Sequence, residues 1–520
     1  MTTTLSIGMA ELSGGCRMTS MLRTASSVEA DIRLAEKMFI DGEWVAAVSG
    51  QTLPVYDPAD GSVVVEVPAG DASDVDRAVV AARAAFAPGG SWRSLTPQAR
   101  GRLIWRLADL IEENAERLAV LDSIDSGKPI NEMRYFDIPF SVDVLRYYAG
   151  WTTKITGETI PISYPASHGG RFHAYTLKEP VGVVAAIVPW NLPLLMAIKK
   201  LAPALATGCT VVLKPAEQTP LSIALLAQLT AEAGIPAGVV NYVTGLGETA
   251  GAALVEHPDV DKVTFTGSVP TGKAIVRAAT GNLKRVSLEL GGKSPNIVFD
   301  DADLDAVIAG AAAAAFATQG ESCIAGSRLY VQRGVFDEVV QRLAKHAASI
   351  TLGRGTDPAT QMGPLISAEH RDKVLGYVEI GVGEGAEVVT GGRAPQGEAY
   401  AGGYFLEPTV IVNARPDSRI MHEEIFGPVV SVVPFDTEEE VLVLANNTRF
   451  GLGAGVWTRD VSRAHRMAAE IESGQVWVNC YQAADSALPF GGTKESGWGR
   501  ETCRESLEEY LETKTVVVSL

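Results

Sequence analysis

Two residues of this chain could together carry covalent carbonyl chemistry. Cys323 lies in the turn-rich stretch Gly320-Glu321-Ser322-Cys323-Ile324-Ala325-Gly326, just after an Ala-rich helical run, and Glu289 stands upstream in Leu288-Glu289-Leu290-Gly291-Gly292-Lys293. A thiolate can add to an aldehyde carbon, and a carboxylate can activate the water that releases the acyl group. The pair is therefore the minimum kit for oxidising an aldehyde through a thioester. A free thiol, with a pKa of about 8.5, is mostly protonated at neutral pH, and no Lys, Arg or His closely flanks Cys323. Activation must come from the fold, from Glu289 or from a positively charged cofactor ring.

Such an oxidation needs an electron acceptor, and two stretches offer it a seat. Phe265-Thr266-Gly267-Ser268-Val269-Pro270-Thr271-Gly272-Lys273 reads as a strand, a glycine turn and a helix start, with Ser268 as N-cap. Free backbone N–H groups there favour an anionic pyrophosphate. The glycines do not have the spacing of the G-x-G-x-x-G dinucleotide fingerprint, so the stretch alone is equally an ordinary turn. In Val211-Val212-Leu213-Lys214-Pro215-Ala216-Glu217, Lys214 and Glu217 lie just past a strand's carboxyl end, where open α/β sheets bind ligands. A carboxylate there accepts hydrogen bonds from a ribose diol and repels a 2′-phosphate, which favours NAD over NADP; a solvated Lys-Glu pair is the alternative.

The elements that must hold these residues alternate. Between Val181 and Leu290, apolar strand-like runs (Val183 to Val188, Thr210 to Leu213, Val239 to Val243, Lys262 to Phe265) are separated by helical ones. That alternation implies a parallel sheet covered on both faces. A second such run extends from Pro295 to about Val478, with strands at Arg328 to Gln332, Thr409 to Val412, Gly453 to Trp457 and Gln475 to Val478. Ile155 to Leu177 reads as a β-hairpin. The tail Thr513 to Leu520 reads as a strand that would aggregate if left bare, and is expected to pair with another subunit, pairing within its own chain being the alternative. Residues up to about 36 are polar and poorly patterned, without the apolar core of a secretory signal, and read as a mobile tail, with order beginning near Phe39.

The formal net charge of −18 argues against nonspecific attachment to nucleic acid or an anionic membrane. The longest apolar run, Val307 to Ala317, falls short of the ~20 residues that a membrane span needs. The five cysteines are scattered without a disulfide framework, which suggests a reducing compartment, the cytoplasm. The seven histidines show no ligand spacing, so no metal is expected.

From about Phe39 to Leu520 the chain resembles the hydrolytic, non-acylating aldehyde dehydrogenase superfamily. The resemblance rests on Pro189-Trp190-Asn191-Leu192-Pro193, Leu213-Lys214-Pro215-Ala216-Glu217, Phe265-Thr266-Gly267-Ser268, Leu288 to Lys293, Gly320-Glu321-Ser322-Cys323, Glu423-Glu424-Ile425-Phe426-Gly427-Pro428 and Pro489-Phe490-Gly491-Gly492, in family order. It implies an α/β fold of two doubly wound, Rossmann-like parallel-sheet domains plus a β oligomerisation arm, assembled as a homodimer or homotetramer. The boundaries are then a flexible extension at 1–37, an NAD-binding domain at 38–155 and 181–291, a catalytic domain at 292–495, and arm segments at 156–180 and 508–520. The resemblance further implies that Cys323 is the nucleophile and Glu289 the general base. Asn191 would hold the oxyanion with the Cys323 backbone N–H, and Lys200 and Glu501 would relay protons. Ile187, Trp190, Lys214, Glu217, Gly267, Ser268, Glu424 and Phe426 would hold NAD.

The substrate tunnel departs from the aromatic pattern common among relatives. The matching positions are Leu192, Lys199, Ala317 and Ala484, with Leu195 and Met196 retained. They imply a wider, more aliphatic tunnel for a bulky aryl or terpenoid-like aldehyde. Lys199 either carries its charge out to solvent along an apolar stem or attracts a carboxylate or sulfonate on the far end of the substrate. Two other readings are an aldehyde dehydrogenase that passes the acyl group to coenzyme A, disfavoured by Glu289, and a binding protein on a retired scaffold, disfavoured by the joint presence of Cys323, Glu289 and Asn191.

Overall fold

The apolar runs between Val183 and Glu289 are buried on both sides because helices from two directions close over them. In the computed structural model, which describes residues 28–163 and 170–520, strands Val240–Tyr242, Thr210–Lys214, Val183–Ile187, Lys262–Thr266 and Arg285–Glu289 lie side by side in that order, all parallel. Antiparallel strands extend both edges: Met38–Ile40 and Glu43–Val45 on one side, Gly497–Trp498 on the other. One face packs against helices Pro97–Glu113, Ala115–Ser126, Ile138–Trp151, Pro193–Thr207 and Leu221–Glu232, the other against Ala72–Phe86 and Val269–Ala279.

A second sheet runs Glu387–Thr390, Thr409–Val412, Val429–Phe435, Arg328–Gln332, Pro295–Val298, Gly453–Trp457, Gln475–Val478. All neighbouring pairs are parallel except the first, which is antiparallel. It too is covered on both faces. The two doubly wound domains expected from the alternation are present. Gly291 and Gly292 carry the chain from the carboxyl end of the first sheet's strand Arg285–Glu289 toward the second sheet, so the junction falls beside Glu289.

Three features differ from expectation. Residues 28–34 form a helix instead of belonging to the polar extension; Asp31 pairs with Arg117 and Ala35 is fully buried, which ties the segment to the first domain. Gly497–Trp498 returns to the first sheet after the catalytic domain. Finally, the C-terminal strand Leu511–Ser519 does not wait for another subunit. It pairs antiparallel with Phe172–Pro180 of its own chain, from Leu511↔Pro180 to Ser519↔Phe172. The physical reason is proximity: the Val181 N–H donates to the Tyr510 carbonyl at 3.0 Å, which starts the ladder. Thr159–Ile160 adds the hairpin's other strand; the hairpin's Ser/Pro/His/Gly turn and residues 1–27 lie outside the described residues. No helix among the described residues is long and apolar enough to cross a membrane.

Candidate active site

The loop bearing Cys323 is held in a conformation that its sequence would not choose freely. Helix Leu304–Phe316 ends at Ala317, after which Thr318 (φ 51°) and Gln319 (φ 54°) occupy the left-handed region, unusual for residues with a Cβ. Their partners enforce it. Thr318 donates its N–H (3.1 Å) and its hydroxyl (2.9 Å) to the Glu132 carboxylate, and Gln319 Nε2 donates to the Pro364 carbonyl at 3.1 Å. Glu321 Oε1 accepts from the Ile366 N–H at 3.0 Å, and Asn191 Nδ2 donates to the Glu321 carbonyl at 2.8 Å. On the other side, the Cys323 carbonyl sits so close to Gly292 that a Cβ there would lie 2.2 Å away.

Glu289 ends its strand 5 % exposed, and its Oε2 has no hydrogen-bond partner. Burial first, and then the Glu501 carboxylate, raise its carboxyl well above the ordinary range; Lys200, Lys199 and Arg500 oppose them. Lys200, fully buried, donates to Glu501 Oε1 at 2.6 Å and to the Thr266 hydroxyl at 2.8 Å. The Cys323 thiol is pushed up to about 12, chiefly by burial and then by the Glu289 and Glu424 carboxylates, with Lys199 opposing. Negative charge on Glu289 thus works against a thiolate at Cys323.

Two cavities meet at this sulfur. One, of about 230 Å³, is bounded by Trp190, Asn191, Gly267, Ser268, Glu289, His370, Glu424 and Phe426. Ser268 caps helix Val269–Ala279, its hydroxyl accepting from the Thr271 N–H. Trp190 stands edge-on to Phe426 (5.3 Å, 89°) and to His370 (5.4 Å). His370 Nε2 contacts the Phe426 carbonyl at 2.6 Å, and burial lowers the imidazole to about 4, so it is neutral and donates there. Glu424 accepts one hydrogen bond, from the Gly292 N–H at 2.9 Å, and burial raises its carboxyl to about 7.

The cleft fits a dinucleotide. Gly291, without a Cβ, lets the Glu424 carboxylate approach the chain so closely that a Cβ there would lie 2.1 Å from Oε2, the Ser268-capped N-terminus of helix Val269–Ala279 borders the cavity, and the Glu424 carboxylate keeps acceptor capacity for a sugar hydroxyl. Ile187 and Lys214 are cross-strand neighbours at the sheet's carboxyl edge, outside this enclosed part. Lys214 Nζ donates to the Pro215 carbonyl at 2.9 Å and lies 3.7 Å from Glu217.

The other cavity, of about 320 Å³, also reaches Cys323. The chain matches the Aldehyde dehydrogenase family over residues 44–516. The chain belongs to the aldehyde dehydrogenase family. It is 47 % identical to the phenylacetaldehyde dehydrogenase of Pseudomonas fluorescens, over 96 % of this chain and 100 % of that one. It is 48 % identical to the human mitochondrial aldehyde dehydrogenase, over 93 % and 92 %. The NAD+ complex structure of an aldehyde dehydrogenase from Bacillus cereus superposes with a TM-score of 0.92 at 49 % identity, over 95 % of this chain and 98 % of that one. This dehydrogenase thus acts on an aldehyde.

The tunnel of the dehydrogenase is walled by all six expected residues, Leu192, Leu195, Met196, Lys199, Ala317 and Ala484. It is not the aliphatic passage those positions suggested. Phe136, Phe140, Trp477 and Phe490 supply rings from other elements. Phe136 sits at 44 % and Leu488 at 50 % exposure, an apolar mouth. Lys199 does not reach solvent either: it is 5 % exposed, because the helix Pro193–Thr207 is buried along its length and offers no route out. Sequence reasoning also missed His370, Glu132 and Glu321. No local pattern marks His370 or Glu132, which act through loops far away in the chain; Glu321 lies in the Cys323 stretch itself, but its role shows only with its distant partner Ile366.

Proposed function

We propose that this dehydrogenase oxidises an aryl or comparably bulky aldehyde to its carboxylic acid through a covalent adduct on Cys323. The observation that carries the reading is that Cys323 lies where the two cavities meet, between a cleft that fits a dinucleotide and a ring-lined tunnel. The Cys323 sulfur adds to the carbonyl carbon as its proton leaves toward Glu289. The oxygen of the tetrahedral adduct takes hydrogen bonds from Asn191 Nδ2 and the Cys323 N–H. When bound in the cleft by Trp190, Gly267, Ser268, Glu424 and Phe426, with Ile187, Lys214 and Glu217 along the sheet edge, NAD+ supplies a two-electron acceptor and a positive charge near the thiol.

Hydrolysis of the Cys323 thioester then needs a base. Glu289 Oε2, free of protein partners, accepts a proton from water as the hydroxyl attacks, and the thiol is restored as the acid departs. Glu501 and Lys200 pass that proton on. Glu217 favours NAD over NADP by repelling a 2′-phosphate. The rings of the tunnel, and the phenylacetaldehyde dehydrogenase relative, support an aromatic substrate. The outer edge of Leu511–Ser519, with Val517 and Val518 exposed, supports assembly into a homodimer or homotetramer.

The test follows NADH absorbance with NAD+ and a panel of short, aromatic and polycyclic aldehydes, with and without coenzyme A. Aromatic aldehydes should outpace acetaldehyde without coenzyme A. Cys323→Ala should lose turnover yet keep NAD+ affinity, and Glu289→Gln should accumulate an acyl group on Cys323, visible as a mass increment. Wild-type turnover in Cys323→Ala, or strict dependence on coenzyme A, overturns the mechanism; a clear preference for acetaldehyde overturns the substrate class.

A further inference from the structure

The Lys199 charge favours the ionised forms of Glu289 and Cys323 from a distance, but it takes no direct part in the steps above. The residue lies seven positions beyond Leu192, two helical turns or ~10 Å along the axis, on the tunnel wall shared with Leu195 and Met196. Among the described residues, no acceptor and no carboxylate pairs with its ammonium. Its close neighbours are ring faces: Phe490, 4.2 Å from Nζ to the centroid, and Phe140 at 5.9 Å.

The other charges along the tunnel are all engaged. Lys128 bonds Asp137 at 2.5 Å and lies 3.7 Å from Glu132, which also holds Thr318. Asp485, at the exposed mouth, accepts from the Ala487 N–H at 2.8 Å. A buried ammonium whose protein neighbours are π faces alone is incompletely compensated, and an anionic acceptor entering the cavity repairs that deficit.

We propose that Lys199 is an anion subsite inside the tunnel, and that the preferred substrates are aldehydes carrying a carboxylate on the same molecule. This rests on the aldehyde-oxidation reading above and narrows it. The carboxylate, once seated, also sets the orientation of the aldehyde toward Cys323, while a cationic substituent meets like charge. Lys199 would act on specificity without touching the reacting carbon.

The test compares kcat/KM of the full-length protein with NAD+ for three probes of similar shape: 4-formylbenzoate, 4-methylbenzaldehyde and 4-(trimethylammonio)benzaldehyde. The expected order is anionic, neutral, cationic, with the first exceeding the second by about tenfold or more, the effect of one charge-assisted hydrogen bond. Lys199→Met should collapse that ratio to about one, and Lys199→Arg should restore most of it. A wild-type ratio at or below one overturns the proposal whether or not a variant folds, as does an undiminished ratio in Lys199→Met. If Lys199 served only the electrostatics of Cys323, the substitution would change all probes together and leave the ratio intact, which also overturns it. Absence of NADH with every aldehyde is a different failure, that of the underlying reaction.

Discussion

Replacing Asn191 with alanine isolates one hydrogen bond of the proposed transition state. The side-chain amide carries two N–H groups. One is donated to the Glu321 carbonyl at 2.8 Å, which leaves the other for a ligand oxygen in the cleft that the residue lines. Removing one preorganised oxyanion donor typically costs about 10²–10³ in kcat, or roughly 2.7–4 kcal/mol. The same change orphans the Glu321 carbonyl, a stability loss of about 1–3 kcal/mol that lowers the Tm of so large a chain by only a few degrees. The assay is steady-state NADH formation at saturating aldehyde, accompanied by thermal melting and by the rate of iodoacetamide alkylation at Cys323. The expected result is a kcat at least about a hundredfold down with alkylation close to wild type. A kcat within tenfold of wild type refutes the oxyanion role, and a fall that merely parallels slowed alkylation shows Asn191 to be an anchor of the nucleophile loop.

Gly291→Ala should weaken NAD+ binding while the protein stays folded, because the new Cβ lands 2.1 Å from Glu424 Oε2 and displaces that carboxylate; calorimetric titration giving an unchanged Kd would contradict it. Asp122 is fully buried, and desolvation raises its carboxyl from 3.8 to about 7. The folded state therefore keeps a proton that the unfolded chain releases, and this group's contribution to stability is lost as pH rises through that window. Asp122→Asn should flatten the fall of Tm across that window in the protein without cofactor, and an unaltered slope would count against the assignment.

Several strands of the second sheet were legible from short β-like runs between helical ones: Arg328–Gln332, Thr409–Val412, Gly453–Trp457 and Gln475–Val478 fall where the sequence places them, whereas Pro295–Val298, Glu387–Thr390 and Val429–Phe435 were not singled out. That Cys323 and Glu289 would share one site was legible from the short, glycine-punctuated stretches that carry them, and both border the same cavity. What stayed hidden depends on contacts between distant segments. The rings of the tunnel come from Phe136, Phe140, Trp477 and Phe490, which no spacing connects to Leu192 or Ala317. Lys199 looked like a side chain able to reach water because nothing local says that its helix is enclosed on every side. The destination of the C-terminal strand was misjudged for a related reason: β pattern shows that a strand needs a neighbour, but not which chain supplies it.

Gly497–Trp498 has a consequence for how the molecule is made. The first sheet opens with strands near residue 38 and receives its last edge strand only after the whole second domain has been synthesised. A nascent chain on the ribosome can close its second domain while the first still lacks an edge, together with Glu501 and the strand that covers Phe172–Pro180. Until that segment is made, the first sheet is short of an edge and the buried Lys200 is short of its Glu501 partner.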